Sequence, residues 1–215
     1  MTERKARIQL LDALRGFCIL LVIAYHFGYN LVARGYIPRE ALYNPVLNIL
    51  QPFFAGVFIV LAGVSSRFSR SNLKRGLLLL GCALLVTAAT TAFGSPVYFG
   101  ILHLLAACVL LYTLLDKLRA TVPFVALGAF FLLWFRLTEW PVVPSADYFP
   151  LAPWAFVFFF GVWLGGPVRE GKLPQWFYEV KIPVFPAIGR RTLLIYLLHQ
   201  PVLYGILWAA EAAMG

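Results

Sequence analysis

Apolar residues run along this chain in long blocks, and polar residues collect in the short breaks between them. Seven blocks stand out, at 10–32, 46–66, 76–92, 97–115, 122–137, 151–166 and 187–210. Each approaches the roughly 20 residues that a helix needs to cross a hydrocarbon layer about 30 Å thick. The breaks carry turn and interface residues: Pro38 and Asn44, the basic stretch 67–75, Gly94 with Pro96, Asp116 with Arg119, Pro141 with Pro144, and 167–186. The fifth block is the shortest signal and is bounded by Arg136. The pattern predicts an all-α fold, a polytopic integral membrane bundle of about seven transmembrane helices in a single domain, 1–215.

Charge orients the bundle, because basic loops stay in the cytoplasm. With the N-terminus inside, the inner segments collect Arg4, Lys5 and Arg7, the cations of 67–75, Lys117 and Arg119, and those of 169–191. Only Arg34, Arg39 and Arg136 fall outside. Without the fifth span the basic segment 169–191 would move to the outer face, so the asymmetry supports seven crossings and an outer C-terminus. The expected location is the inner (plasma) membrane, multi-pass.

Composition agrees: 61% of residues are hydrophobic and 13% are charged, against about 25% charged in a soluble domain. A net charge of +9 would raise nucleic-acid binding in a soluble protein, but here it marks the cytoplasmic loops, and no nucleic-acid partner is expected. Cys18, Cys82 and Cys108 each lie inside an apolar block, without pairing or metal-ligand spacing, so neither disulfides nor a metal site is expected. The basic start before an apolar run resembles a signal peptide, but Asp12 and Arg15 interrupt that run. Gly161 and Gly165 form a GxxxG pair, read as ordinary close packing, with a homodimer as the alternative.

An ionisable residue inside a span is costly and asks for a reason. Asp12, Arg15, His26, His103 and His199 are the exceptions, and they include all three histidines of the chain. Arg15 and His26 are eleven residues apart, close to three helical turns, so both point from one face over an axial length of about 16 Å. Asp12 precedes Arg15 by three residues, a spacing at which opposite charges meet. His103 and His199 come from other spans at similar depth. Tyr25, Tyr29, Asn30, Gln51, Tyr196 and Gln200 lie near these histidines along the chain or at similar depth and can serve a partly hydrated cavity as donors and acceptors. Arg67, Arg70, Lys74 and Arg75 form an inner cluster suited to phosphate. Plainer readings stand beside these: Asp12 and Arg15 snorkelling at the interface, His103 and His199 tying helices together, and the basic loop as topology alone.

The segment LDALRGFCILLVIAYH, 11–26, resembles the first span of the transmembrane acyltransferase superfamily, whose Arg-x10-His pattern is met by Arg15 and His26. Further similarity lies in PFFAGVFIVLAGVSS, 52–66, FGILHLLA, 99–106, and IGRRTLLIYLLHQPV, 188–202. The nearest branch resembles the small bacterial relatives of the heparan-α-glucosaminide N-acetyltransferase catalytic domain. The resemblance implies transfer of an acetyl or other acyl group from cytoplasmic acetyl-CoA (acyl-CoA) to a sugar or other small acceptor outside, with no metal. It implies CoA phosphates on Arg15, Arg67, Arg70, Lys74 and Arg75, and an acceptor near Asp12, Tyr29, Asn30, Gln51, Tyr196 and Gln200. His26 would act as base or as an acyl carrier, with His103, His199 or Gln200 orienting it or stabilising an oxyanion.

One departure bears on the acceptor. The larger heparan-type enzymes carry a catalytic histidine in the outer loop after span one and an Asn where this chain has His26. No histidine lies between Phe27 and Leu102 here, so His26 follows the O-acyltransferase pattern. A transporter or proton-coupled carrier using the same His, Asp and Arg residues is the alternative function, although no internal repeat is visible. An accessory membrane subunit with a decayed site is the third.

Overall fold

The computed structural model describes residues 7–115 and 147–214. The expected fifth span, 122–137, lies outside these residues. The described helices, numbered in chain order, are α1 (Gln9–Ala33), α2 (Pro45–Ser66), α3 (Asn72–Ala92), α4 (Ile101–Leu115), α5 (Leu151–Glu170), α6 (Gln175–Glu179), α7 (Phe185–Gly189) and α8 (Thr192–Met214). Five of them, α1, α2, α3, α5 and α8, are long and apolar enough to cross a membrane, and α4 is a shorter apolar helix. Among the described residues the only extended pairing is a single bridge between Phe99 and Tyr148. The chain is therefore an all-helical, multi-pass membrane protein.

Local chemistry sets the helix ends. Asn44 accepts hydrogen bonds from the N–H groups of Val46 and Leu47 on its Oδ1, capping α2. Ser71 accepts from the Lys74 N–H at the start of α3. Gly171, at φ +76°, closes α5 in the left-handed conformation that glycine adopts without a Cβ penalty. Of the expected boundaries that move, two have a visible local cause. The fourth apolar block begins its helix at Ile101 rather than at 97, because the Val97 N–H is taken by Thr90 Oγ1 and its carbonyl by the Thr87 hydroxyl. The last block is split, since α7 ends at Gly189 and Thr192 Oγ1 donates to the Gly189 carbonyl.

The described residues form two compact units. One holds α1, α2 as far as Phe58, and α6 to α8. In it, α1 crosses α7 where two glycines meet: a Cβ on Gly16 would strike the Phe185 carbonyl, and one on Gly189 would strike the Asp12 carbonyl. Farther along, α1 and α8 run parallel. His26 faces His199 and Gln200, and Arg34 faces Glu211.

The other unit holds α2 from Ile59, together with α3, α4 and α5. Here α2 and α5 also run parallel, Val60 against Gly161 and Val64 against Gly165. The GxxxG pair is thus occupied by the chain's own α2, and the alternative of a homodimer through it finds no support. The C-terminal carbonyls of α2 are served by the basic stretch and its neighbours. Arg75 donates to Ser66 Oγ and the Ala62 carbonyl, Asn72 to the Ser66 carbonyl, and Arg169 to the Arg67 carbonyl.

Because a side chain on Gly161 has no room against the Val60 backbone, Gly161→Val is expected to destabilise the protein by about 1–3 kcal/mol, read as a lower Tm in detergent. Gly81→Ala, where nothing lies within 4 Å of the added Cβ, is expected to leave Tm unchanged or raise it.

Candidate functional site

The first unit gathers most of the sequence-predicted polar residues along the α1–α8 seam. At one end, Arg15 Nη1 donates to Asp12 Oδ1 at 2.5 Å, and the Asp12 side chain is nearly covered. This is the i,i+3 contact expected from spacing. It lies beside the Gly16–Gly189 crossing, where Val184 takes up φ +63°, a strained conformation for a β-branched residue.

About three turns on, Asn30 Nδ2 donates to Gln200 Oε1 at 3.0 Å, and Gln200 Nε2 lies 2.8 Å from His26 Nδ1. Asn30 is 1% exposed, so its amide needs a protein partner, and Gln200 supplies one. His26 and Asn30 share a face of α1 because they are four residues apart. His199 is 7% exposed; its ring centroid lies 5.0 Å from that of His26, in a T-shaped arrangement. His199 Nδ1 is held by the Tyr196 carbonyl one turn earlier, and its ring also packs against the Tyr196 ring. Pro201 follows at once; without an N–H it cannot bond the Leu197 carbonyl, so one backbone hydrogen bond is missing from the turn that carries His199 and Gln200.

Beyond the histidines the two helices are locked by residues that sequence reasoning passed over. Arg34 Nε lies 2.9 Å from Glu211 Oε1, the Tyr36 hydroxyl donates to the same oxygen at 3.2 Å, and the Arg34 guanidinium sits 5.1 Å from the Tyr204 ring centroid. Nothing in the order of residues pairs Arg34 with Glu211, which lies near the other end of the chain. Of the remaining expected residues, Tyr25 is half-buried beside His26, whereas Tyr29 and Gln51 are exposed and do not join the hydrogen-bonded chain.

His103 lies in the second unit, in a cluster of its own. The Thr87 hydroxyl donates to the Val97 carbonyl at 2.6 Å and lies 3.1 Å from His103 Nε2. Asp147, also missed, accepts from the Ile101 N–H at 3.4 Å and fits over Gly100 at the start of α4, where a Cβ would meet its carboxylate. It comes from 46 residues downstream, so no local pattern announces it. In the basic stretch, Arg67 and Arg75 turn inward, Arg67 Nη1 reaching the Tyr112 hydroxyl at 3.3 Å, while Arg70 and Lys74 are exposed. Among the described residues no group of His, Cys, Asp and Glu is arranged to hold a metal ion.

The family model described as heparan-alpha-glucosaminide N-acetyltransferase, catalytic, matches residues 7–201. The chain belongs to this family. No curated protein and no solved structure matches it. The match to this acetyltransferase family takes in Asp12, Arg15, His26, Asn30, His103, His199 and Gln200. It stops short of Glu211, so the Arg34–Glu211 contact reaches beyond the matched region.

Asp147 gives the family member a pH signature. Burial holds its carboxyl at about 6, above the ordinary 3.8, while the Ile101 N–H pulls partly the other way. The folded state then keeps this proton to higher pH than the unfolded chain does, so the associated stability is complete below about pH 4 and falls as pH rises towards 6. Asp147→Asn is expected to flatten the change in Tm between pH 4 and pH 7, measured in detergent.

Proposed function

We propose that this family member is a membrane acyltransferase that takes an acetyl or other acyl group from acyl-CoA on the cytoplasmic side. It delivers the group to a hydroxyl or amine acceptor, a sugar in the simplest case, on the outer side of the inner membrane. One observation carries the reading: α1 and α8 bring two imidazoles and a carboxamide together, with a guanidinium on the same α1 helix about 16 Å nearer its start. Acyl transfer from a nucleotide thioester needs this separation of parts, an anion-binding cation at one end and proton-handling groups at the other.

The topology that goes with this is seven crossings, with the N-terminus inside and the C-terminus outside. Two helix pairs support it. Parallel spans need an odd number of crossings between them, and a total of seven gives five between α1 and α8 and three between α2 and α5. A total of six would make both pairs antiparallel.

Within the proposal, Arg15 binds a CoA phosphate. A guanidinium suits that role because its planar fork of N–H donors matches a phosphate bidentately. Of the basic stretch, Arg70 and Lys74 are exposed and suit acidic phosphates, whereas Arg67 and Arg75 already serve α2 and its neighbours. His26, His199 and Gln200 form the reacting end. His103, with Thr87 beside it, is kept as a further candidate for handling the acceptor.

The test is acetyl-CoA binding by calorimetry together with acetyl-CoA hydrolysis by the purified protein. Arg15→Ala is expected to weaken binding about tenfold or more, as loss of charge-assisted hydrogen bonds does. His26→Ala is expected to bind acetyl-CoA within about twofold of the parent but to lose at least about 100-fold in turnover. Variants indistinguishable from the parent in both measurements would remove these roles.

A further inference from the structure

The hydrogen bonds around the two paired imidazoles determine where each carries its proton. A carbonyl only accepts, so His199 Nδ1, bonded to the Tyr196 carbonyl, bears a hydrogen. In the neutral ring its Nε2 is then a bare lone pair; that atom is buried and has no hydrogen-bond partner among the described residues. His26 is held the opposite way. Asn30 Nδ2 donates to Gln200 Oε1, which turns the Gln200 amide nitrogen towards His26 Nδ1, and an amide nitrogen only donates. His26 Nδ1 is therefore the acceptor, and in the neutral ring Nε2 carries the hydrogen. His103 offers an internal comparison: Thr87 spends its single hydroxyl hydrogen on the Val97 carbonyl, so His103 Nε2 is the donor in that contact.

Resting on the acyltransferase reading, we propose that His26 and His199 divide the chemistry: His199 Nε2 takes the acceptor's proton, His26 Nε2–H stabilises the oxyanion, and Gln200, backed by Asn30, enforces the division. This assigns the base to His199 rather than to the His26 that the Arg-x10-His spacing brings forward. In the first step the acceptor oxygen or nitrogen bonds to the thioester carbonyl carbon. Its proton passes to His199 Nε2, and the carbonyl electron pair moves onto oxygen, which receives the His26 Nε2–H hydrogen bond. In the second step the oxyanion reforms the carbonyl, the C–S bond breaks, and the leaving thiolate takes the proton from the His199 imidazolium. Acyl acceptor and CoA thiol are the products, and both histidines return to their starting tautomers.

Gln200 is a positioning residue in this scheme. Its carboxamide donates to His26 while accepting from Asn30, since its two ends have opposite polarity. A carboxylate in its place accepts at both ends. It would still satisfy Asn30, but it would draw the His26 hydrogen onto Nδ1 and expose a lone pair at Nε2, leaving two bases and no donor.

The chain has three histidines, so nitrogen NMR of protein labelled with 15N-histidine, in detergent above pH 8, reads the tautomers directly. The parent is expected to show one Nδ1–H ring, from His199, and two Nε2–H rings, from His26 and His103, each assigned by its His→Ala variant. Gln200→Glu is expected to move His26 to Nδ1–H, to lower acetyl-CoA hydrolysis at least about 100-fold, the scale of a lost oxyanion donor, and to leave acetyl-CoA affinity within about twofold. His199→Ala is expected to abolish turnover while retaining binding. Gln200→Asn, which keeps the amide polarity on a shorter arm, provides a second variant should Gln200→Glu fail to fold. It is expected to keep the Nε2–H signal of His26 and to retain more turnover than His26→Ala; loss of turnover equal to His26→Ala with that signal kept overturns the positioning role.

A parent spectrum with His26 as Nδ1–H, or a His199→Ala protein that still turns over while His26→Ala does not, overturns the division of roles. Absence of acetyl-CoA binding and hydrolysis in the parent overturns the acyltransferase reading instead, and the tautomer spectrum still decides whether Gln200 sets His26.

Discussion

A carboxamide or imidazole placed in hydrocarbon has no water to turn to, and whatever the protein does with it must be done with protein partners. The bonds from Asn30 through Gln200 to His26 meet that constraint on the seam between α1 and α8. They fix how the two helices face each other, and they fix the chemical state of the ring at the end. The same bonds join the two helices, so the candidate site is part of what holds α1 against α8.

The seam is pinned on both sides of this chain. At one end two glycines let α1 and α7 approach until backbones touch, which places Asp12 and Arg15 beside the crossing. At the other end Arg34 and Tyr36 close on Glu211, and the Tyr204 ring packs against the Arg34 guanidinium. Between them Pro201 removes one backbone hydrogen bond of α8, in the turn that carries His199 and Gln200.

Cations that look alike in sequence separate once the fold is known. Arg67 and Arg75 help to satisfy the end of α2 and its neighbour Tyr112, a structural duty created by the orphan carbonyls of any helix terminus. Arg70 and Lys74 have no such duty in view and stay exposed. Within the basic stretch, two cations thus have partners in the fold and two stay exposed.

Much of the fold was legible in the residues, because burial in lipid demands long apolar blocks and a backbone that satisfies itself, and helices do both. The blocks at 10–32, 46–66 and 151–166 became α1, α2 and α5 with small shifts at their ends. The Asp12–Arg15 contact followed from helical periodicity alone, since the two residues lie within one turn. What periodicity cannot reach is a partner on another helix. That Gln200 meets His26, that Glu211 meets Arg34, that Asp147 sits over Gly100 and that His103 belongs with Thr87 depend on which helices pack together and in which direction. Local spacing determined which residues share a helix face; only the tertiary structure decided which faces meet, and with that the direction of each hydrogen bond and the nitrogen on which each histidine keeps its proton.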